Sequence, residues 1–134
     1  MQRIENLRLT NICLVISNRE NAFALKRAEN AGINTLFLPR NGLARSDYDA
    51  QLAYEAKSYG ADLAVLAGWD QLLASNFVSK LITINLHPAL PDTFPGLGAI
   101  EKAFEAWVKG EVSQSGVMVH YVPDEGVDDG PTIL

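Results

Sequence analysis

Asn85 and His87 stand two residues apart at the end of a run of strand-forming aliphatics, and Pro88, Pro91 and Pro95 follow within "INLHPALPDTFPGLGAIEKAF". Side chains alternate along a strand, so this pair projects to one side while Ile84 and Leu86 face the other. An amide and an imidazole then share a small volume, which is an arrangement suited to donating hydrogen bonds and handling protons. The prolines restrict the backbone beyond them and would hold the pair in one geometry. An Asn before a turn can instead cap backbone groups, and a His can be a hydrogen-bonded edge residue; the spacing alone leaves both readings open.

A second constellation lies in "PDEGVDDGP", where Asp124, Glu125, Asp128 and Asp129 fall among glycines. On its own this is a solvated turn, and it lacks the ligand spacing of an EF-hand. Combined with the first it gains meaning, since a carboxylate near His87 would favour the imidazolium and orient the ring.

These groups need a scaffold, and the periodicity supplies one. Residues 12–17 read as a strand and 22–31 as a helix stopped by Gly32. "INTLFLP" is a second strand, followed by a helix over 47–59 with Ser46 as N-cap and Gly60 as its end. "ADLAVLAG" is a third, continuously apolar strand. A weak helix over 76–79, the strand "LITINLH", a helix over 99–109 ended by Gly110 and the strand "GVMVHYV" follow, and "PTIL" opens one more strand. Short apolar strands alternating with helices predict an α/β fold, an open, mainly parallel sheet of Rossmann type covered on both faces, in one domain over 1–134. In such sheets ligands sit beyond the carboxyl ends of the strands, where Asn85, His87 and the acidic loop fall.

With 134 residues, 48% hydrophobic and 20% charged, the chain has the composition of a single globular domain. It holds no apolar run long enough to cross a bilayer and no secretory leader, so the expected setting is cytoplasmic, without a membrane partner. A net charge of −5, with eleven scattered Lys and Arg, argues against nucleic acid as a partner. The single Cys13 lies in an apolar strand, where a buried inert thiol is the expected state, and no Cys/His spacing suggests zinc or another metal.

"NLHPALPDTFPGLGAIEKA" followed by "GVMVHYVPDEGVDDGP" resembles the glycinamide ribonucleotide formyltransferases of purine synthesis. "VISNRENAFALKRAENAGI" and "DLAVLAGW" are similar to that family's earlier segments. The resemblance implies transfer of a formyl group from the co-substrate 10-formyltetrahydrofolate to the amine of glycinamide ribonucleotide, through a tetrahedral species bearing an oxyanion. It places Asn85, His87 and Asp128 at the catalytic positions, with Asn85 and His87 as oxyanion donors and Asp128 relaying a proton through water. It implies a folate pocket at Trp69, Asp70, Leu72, Leu73, Asp124 and Glu125, and a substrate cleft touched by Arg45 and Asp70. The resemblance also sets His120 at a family His near the site, although His120 reads first as a hydrogen-bonded strand residue; Trp69 and Leu72 read equally well as core, and Arg45 as a surface cation.

Against the family pattern, Gly98 stands where many members have a His. The glycine-rich phosphate loop and the first strand have no counterpart, "MQRIENLRL" reads as the tail of the following helix, and the pattern breaks off at "PTIL". The expectation is a domain truncated at both ends whose strands near Ile12 and Leu63 either pair directly or are covered by a homo-oligomeric or complementing chain. Two alternatives remain: a non-catalytic remnant serving as an oligomerising or folate-binding module, and a sibling folate-dependent enzyme acting on an amino sugar or water.

Overall fold

The computed structural model describes residues 10–123 and 126–134. The opening "MQRIENLRL" and the expected folate-pocket residues Asp124 and Glu125 lie outside them. Five strands and four helices follow in chain order: β1 (Val15–Ser17), α1 (Phe23–Asn30), β2 (Thr35–Phe37), α2 (Arg45–Ser58), β3 (Leu63–Ala67), α3 (Ser75–Val78), β4 (Ile82–His87), α4 (Ala99–Val108) and β5 (Met118–Tyr121). Every expected element but the last is found, with ends shifted by a few residues at most; "PTIL" forms a single bridge and no strand of its own.

The start of α2 differs from the sequence reading. The helix begins at Arg45 with Ala44 as its N-cap and no side-chain cap, so Ser46 lies inside the first turn. The Tyr48 amide donates to the Ala44 carbonyl as the first helical bond, and Asn76 Nδ2 donates to the Ser46 carbonyl from across the fold. Its carboxyl end is as expected. Gly60 has φ +78°, a conformation L side chains rarely adopt, and the chain turns there so that the Ala61 amide reaches the Ala56 carbonyl.

The strands form two open sheets. β1 and β2 pair in parallel, β3 and β4 pair in parallel, and β5 adds to β4 in the antiparallel sense. The "PTIL" segment runs beside β5, with a bridge between His120 and Thr132 and backbone bonds joining Val119 to Ile133 and Leu134. Direct pairing of β1 with β3, one of the two expected arrangements, is not formed: among the described residues β1 pairs only with β2, and β3 only with β4.

One core joins the two sheets. Tyr48, Leu52 and Ala53 of α2 pack with Leu38, Phe77 and Leu81, and Ile16, Leu36, Ala64 and Leu66 of three different strands close on them. The opposite face of the larger sheet departs from the expectation of cover on both sides. Leu63, Val65 and Ala67 are in register with Ile82, Ile84 and Leu86, and Val65 and Ile82 are 59% and 63% exposed. An apolar strand was legible; what covers it was not, because periodicity records the hydrophobic face and not its neighbour. α4 shows the same inversion, burying Ala99, Ala103 and Ala106 while Ile100, Phe104 and Trp107 face outward.

Tyr48 anchors the core by a polar contact as well as by packing. Fully buried, it donates to the Leu38 carbonyl at 2.7 Å. Desolvation pushes its phenol pKa above the usual 10.0, Asp49 adds to the rise and Arg40 opposes it. The folded state therefore holds its proton more tightly than the unfolded chain. The stability this contributes is fully present below about pH 10 and is lost as pH rises through the folded pKa. Tyr48→Phe leaves the Leu38 carbonyl unpaired and should cost about 1–3 kcal/mol in urea unfolding near pH 7, while flattening the alkaline fall in stability. An unchanged alkaline limb in that variant would assign the fall to other groups.

Candidate active site

The end of β4 presents its side chains as alternation requires. Asn85 and His87 lie on the face shared with Ala64 and Leu66, and Leu86, on the other face, is exposed. β5 runs antiparallel beside them, setting His120 opposite Asn85 and Met118 opposite His87. His87 and His120 are 4% and 2% exposed. Two histidines and an amide thus meet at the edge where β4 and β5 pair.

Asp128 reaches this point from the loop after β5. Its Oδ1 accepts from Asn85 Nδ2 at 2.9 Å, and its Oδ2 accepts from the Gly96 amide at 2.8 Å and lies 3.2 Å from His87 Nδ1. His120 Nε2 is 3.3 Å from Oδ1. The carboxylate accepts from Asn85 and Gly96 and faces both histidine rings. His87 Nε2 faces the Phe94 carbonyl at 3.1 Å, so both ring nitrogens of His87 face acceptors, and a ring carrying both protons donates to each.

Backbone geometry delivers the carboxylate. Asp128 has φ +54°, which Asp tolerates better than most residues. Two residues on, Gly130 passes so near β5 that a Cβ there would lie 1.8 Å from the Tyr121 carbonyl oxygen. Only glycine allows this approach. The proline-rich loop closes from the other side through two of its backbone groups, the Phe94 carbonyl and the Gly96 amide, with Asp92 and Phe94 at positive φ and Lys102 Nζ donating to the Pro95 carbonyl. Gly98, where the family pattern often has a His, is the N-cap of α4 at φ +72°.

The remaining candidates fall into separate surroundings. Leu73 is buried in the core, so any part it takes in a pocket falls to its backbone. Trp69 packs against that core, and its buried Nε1 finds no partner among the described residues. Leu72 is 44% exposed. Asp70 pairs with Arg19 at 2.5 Å, joining the carboxyl ends of β3 and β1. Arg45 opens α2, away from the loop position expected for it.

Two cavities, of about 430 and 340 Å³, are lined respectively by Pro88 with α4 and Gly116, and by Ile82, Tyr121 and Pro131. Neither is lined by Asn85, His87 or Asp128. Sequence reasoning singled out the first three polar residues but not the backbone partners at Phe94 and Gly96, nor the contact of His120 with Asn85. The antiparallel register that creates this contact leaves no local signal.

Comparison with known proteins places these observations in a wider set. The sequence profile described as formyl transferase matches residues 1–134. A phosphoribosylglycinamide formyltransferase of Schizosaccharomyces pombe is 42% identical over 133 residues, covering 90% of this chain and 64% of that protein. One from Escherichia coli is 40% identical over 123 residues, covering 90% of this chain and 56% of that protein. The crystal structure of phosphoribosylglycinamide formyltransferase from Campylobacter jejuni superposes with a TM-score of 0.84 at 34% identity, covering 92% of this chain and 63% of that one. The chain therefore spans about three-fifths of the length of these relatives.

The placement of Asp128 makes a direct prediction. Gly130→Ala drives a methyl group into the Tyr121 carbonyl, and should lower stability by at least about 2 kcal/mol in denaturant titration. A variant as stable as the parent would show that the loop approaches β5 less closely.

Proposed function

We propose, from the premise that this chain belongs to the formyl transferase family, that it carries the reacting centre for moving a formyl group from 10-formyltetrahydrofolate to the amine of glycinamide ribonucleotide, in the cytoplasm. The observation that carries this reading is the single carboxylate of Asp128, accepting from the amide of Asn85 at 2.9 Å and lying 3.2 Å from His87 Nδ1. Attack of an amine on a formyl carbon puts negative charge on the formyl oxygen, and the new C–N bond replaces the one to the folate nitrogen. The amine must lose a proton and the departing nitrogen must gain one.

The residues divide this work by their chemistry. Asn85 offers the developing oxyanion the amide hydrogen that it otherwise gives to Asp128. His87 joins it by exchanging the Phe94 carbonyl for that oxygen, and removal of one such preorganised donor typically lowers turnover by about 10²–10³. Asp128 orients both and passes the amine proton, through water, to the departing folate nitrogen, a contribution of about 10²–10⁴. Trp69, Asp70 and Leu72, with the backbone at Leu73 and the segment containing Asp124 and Glu125, form the folate side, and Arg45 and Asp70 the nucleotide side. A second chain, identical or complementary, covers the exposed apolar face of β3 and β4.

A second reading is a formyltransferase-like module without turnover, and one observation favours it: the Asp128 carboxylate and both ring nitrogens of His87 already have partners within the fold. Turnover of glycinamide ribonucleotide with 10-formyltetrahydrofolate separates the two. The first reading predicts measurable formyl transfer, lost by about 10²–10⁴ in Asp128→Asn with the circular dichroism spectrum unchanged. A folded chain with no transfer, or an Asp128→Asn variant as active as the parent, would reject it.

A further inference from the structure

We propose that His120 is a positioning residue for Asn85, accepting a hydrogen bond from its amide and so fixing which end of that amide faces Asp128. This rests on the reading of Asn85 and Asp128 as reacting-site groups.

The argument begins from what each ring nitrogen faces. His120 Nδ1 lies 2.8 Å from the Tyr121 carbonyl, which only accepts, so the proton belongs on Nδ1. Nε2 lies 3.2 Å from Asn85 Nδ2, which only donates, and 3.3 Å from Asp128 Oδ1, which only accepts. A proton on Nε2 would satisfy the carboxylate but set one N–H against another at Asn85. Without that proton, Nε2 accepts from Asn85, and the same NH₂ group serves Asp128 Oδ1 at 2.9 Å. The short distance from Nε2 to Oδ1 then follows from two acceptors sharing one donor group.

His87 makes the contrast. Both of its nitrogens face acceptors, so it is the ring that pairs with the carboxylate, whereas His120 sits between an acceptor and a donor.

The consequence concerns the amide of Asn85. Its two ends are nearly isosteric, and reversing it would set Oδ1 against a carboxylate oxygen and an imidazole lone pair at once. With His120 in place the amide has one orientation and two fixed acceptors. With His120 removed the amide keeps a single bond, to Asp128, and can pivot about it, so the hydrogen that would leave Asp128 for the oxyanion is no longer aimed. Misplacement of this size commonly lowers turnover by about 10- to 100-fold while binding is little changed. His120 is held for the task, being 2% exposed and placed opposite Asn85 by the β4–β5 register, with Thr132 bridging its backbone from the other side.

The test uses the whole chain labelled with ¹⁵N. In the parent, long-range ¹H–¹⁵N spectra should show the His120 ring protonated on Nδ1 and bare on Nε2. The Asn85 side-chain amide signals should shift in His120→Phe and return towards the parent in His120→Gln, which restores an acceptor near the Nε2 position. In the formyl-transfer assay, His120→Phe should lose about 10- to 100-fold in kcat with KM within about 3-fold, and His120→Gln should recover most of it. A His120 ring protonated on Nε2, an Asn85 amide indifferent to His120→Phe, or full kcat in that variant would overturn the proposal. The tautomer is read without substrate, so a chain lacking formyl transfer defeats the functional reading while the spectra still decide the role of His120. The tautomer measurement on the parent also stands if His120→Phe fails to fold.

Discussion

A carboxylate largely withdrawn from water must be surrounded by donors, and most of the geometry at the end of β4 follows from that requirement. Asp128 meets it by gathering groups from two separate parts of the chain: the Asn85 amide and His87 ring from β4, and the Gly96 amide from the proline-rich loop. None of these is a sequence neighbour of Asp128. Their convergence needs the β4–β5 register, the positive φ at Asp128 and the bare Cα of Gly130. A polar cluster of this kind is stable only when each member is satisfied, which makes its geometry narrow. That narrowness suits a site whose donors must be aimed before the substrate arrives.

The proline-rich loop contributes through its backbone. Side chains at Thr93, Phe94 and Pro95 give no hint of chemistry, yet the Phe94 carbonyl faces His87 Nε2 and the Gly96 amide donates to Asp128. Positive φ at Asp92, Phe94, Gly96 and Gly98 turns these groups inward. Lys102 then ties the first turn of α4 to the Pro95 carbonyl. Loop and helix therefore support the same carboxylate that the strands deliver their side chains to.

How much of this was legible in the sequence varies with the range of the interaction. Alternation placed Asn85 and His87 on one face, and "VDDGP" flagged a carboxylate that the fold brings to them; both signals are local or nearly so. The α/β order followed from strand runs broken by helices ended at Gly32, Gly60 and Gly110. Ser46 misled as a cap because the helix begins earlier, with Ala44 as its N-cap, and leaves Ser46 inside the first turn. The bare outer face of Leu63, Val65 and Ile82, and the outward Phe104 and Trp107, could not be foreseen, since composition states that a face is apolar and not whether anything lies against it. The role of His120 depends on an antiparallel register that no local pattern records.

The central claim is that Asp128 and Asn85 are coupled directly through one partly buried hydrogen bond. A double-mutant cycle of Asn85→Ala and Asp128→Ala in equilibrium unfolding measures that coupling most directly. The account predicts that the two effects fall short of adding by about 1 kcal/mol or more, because each variant alone already breaks the shared bond. Additivity within about 0.3 kcal/mol would mean that the two side chains do not interact, and would contradict the arrangement on which the functional reading stands.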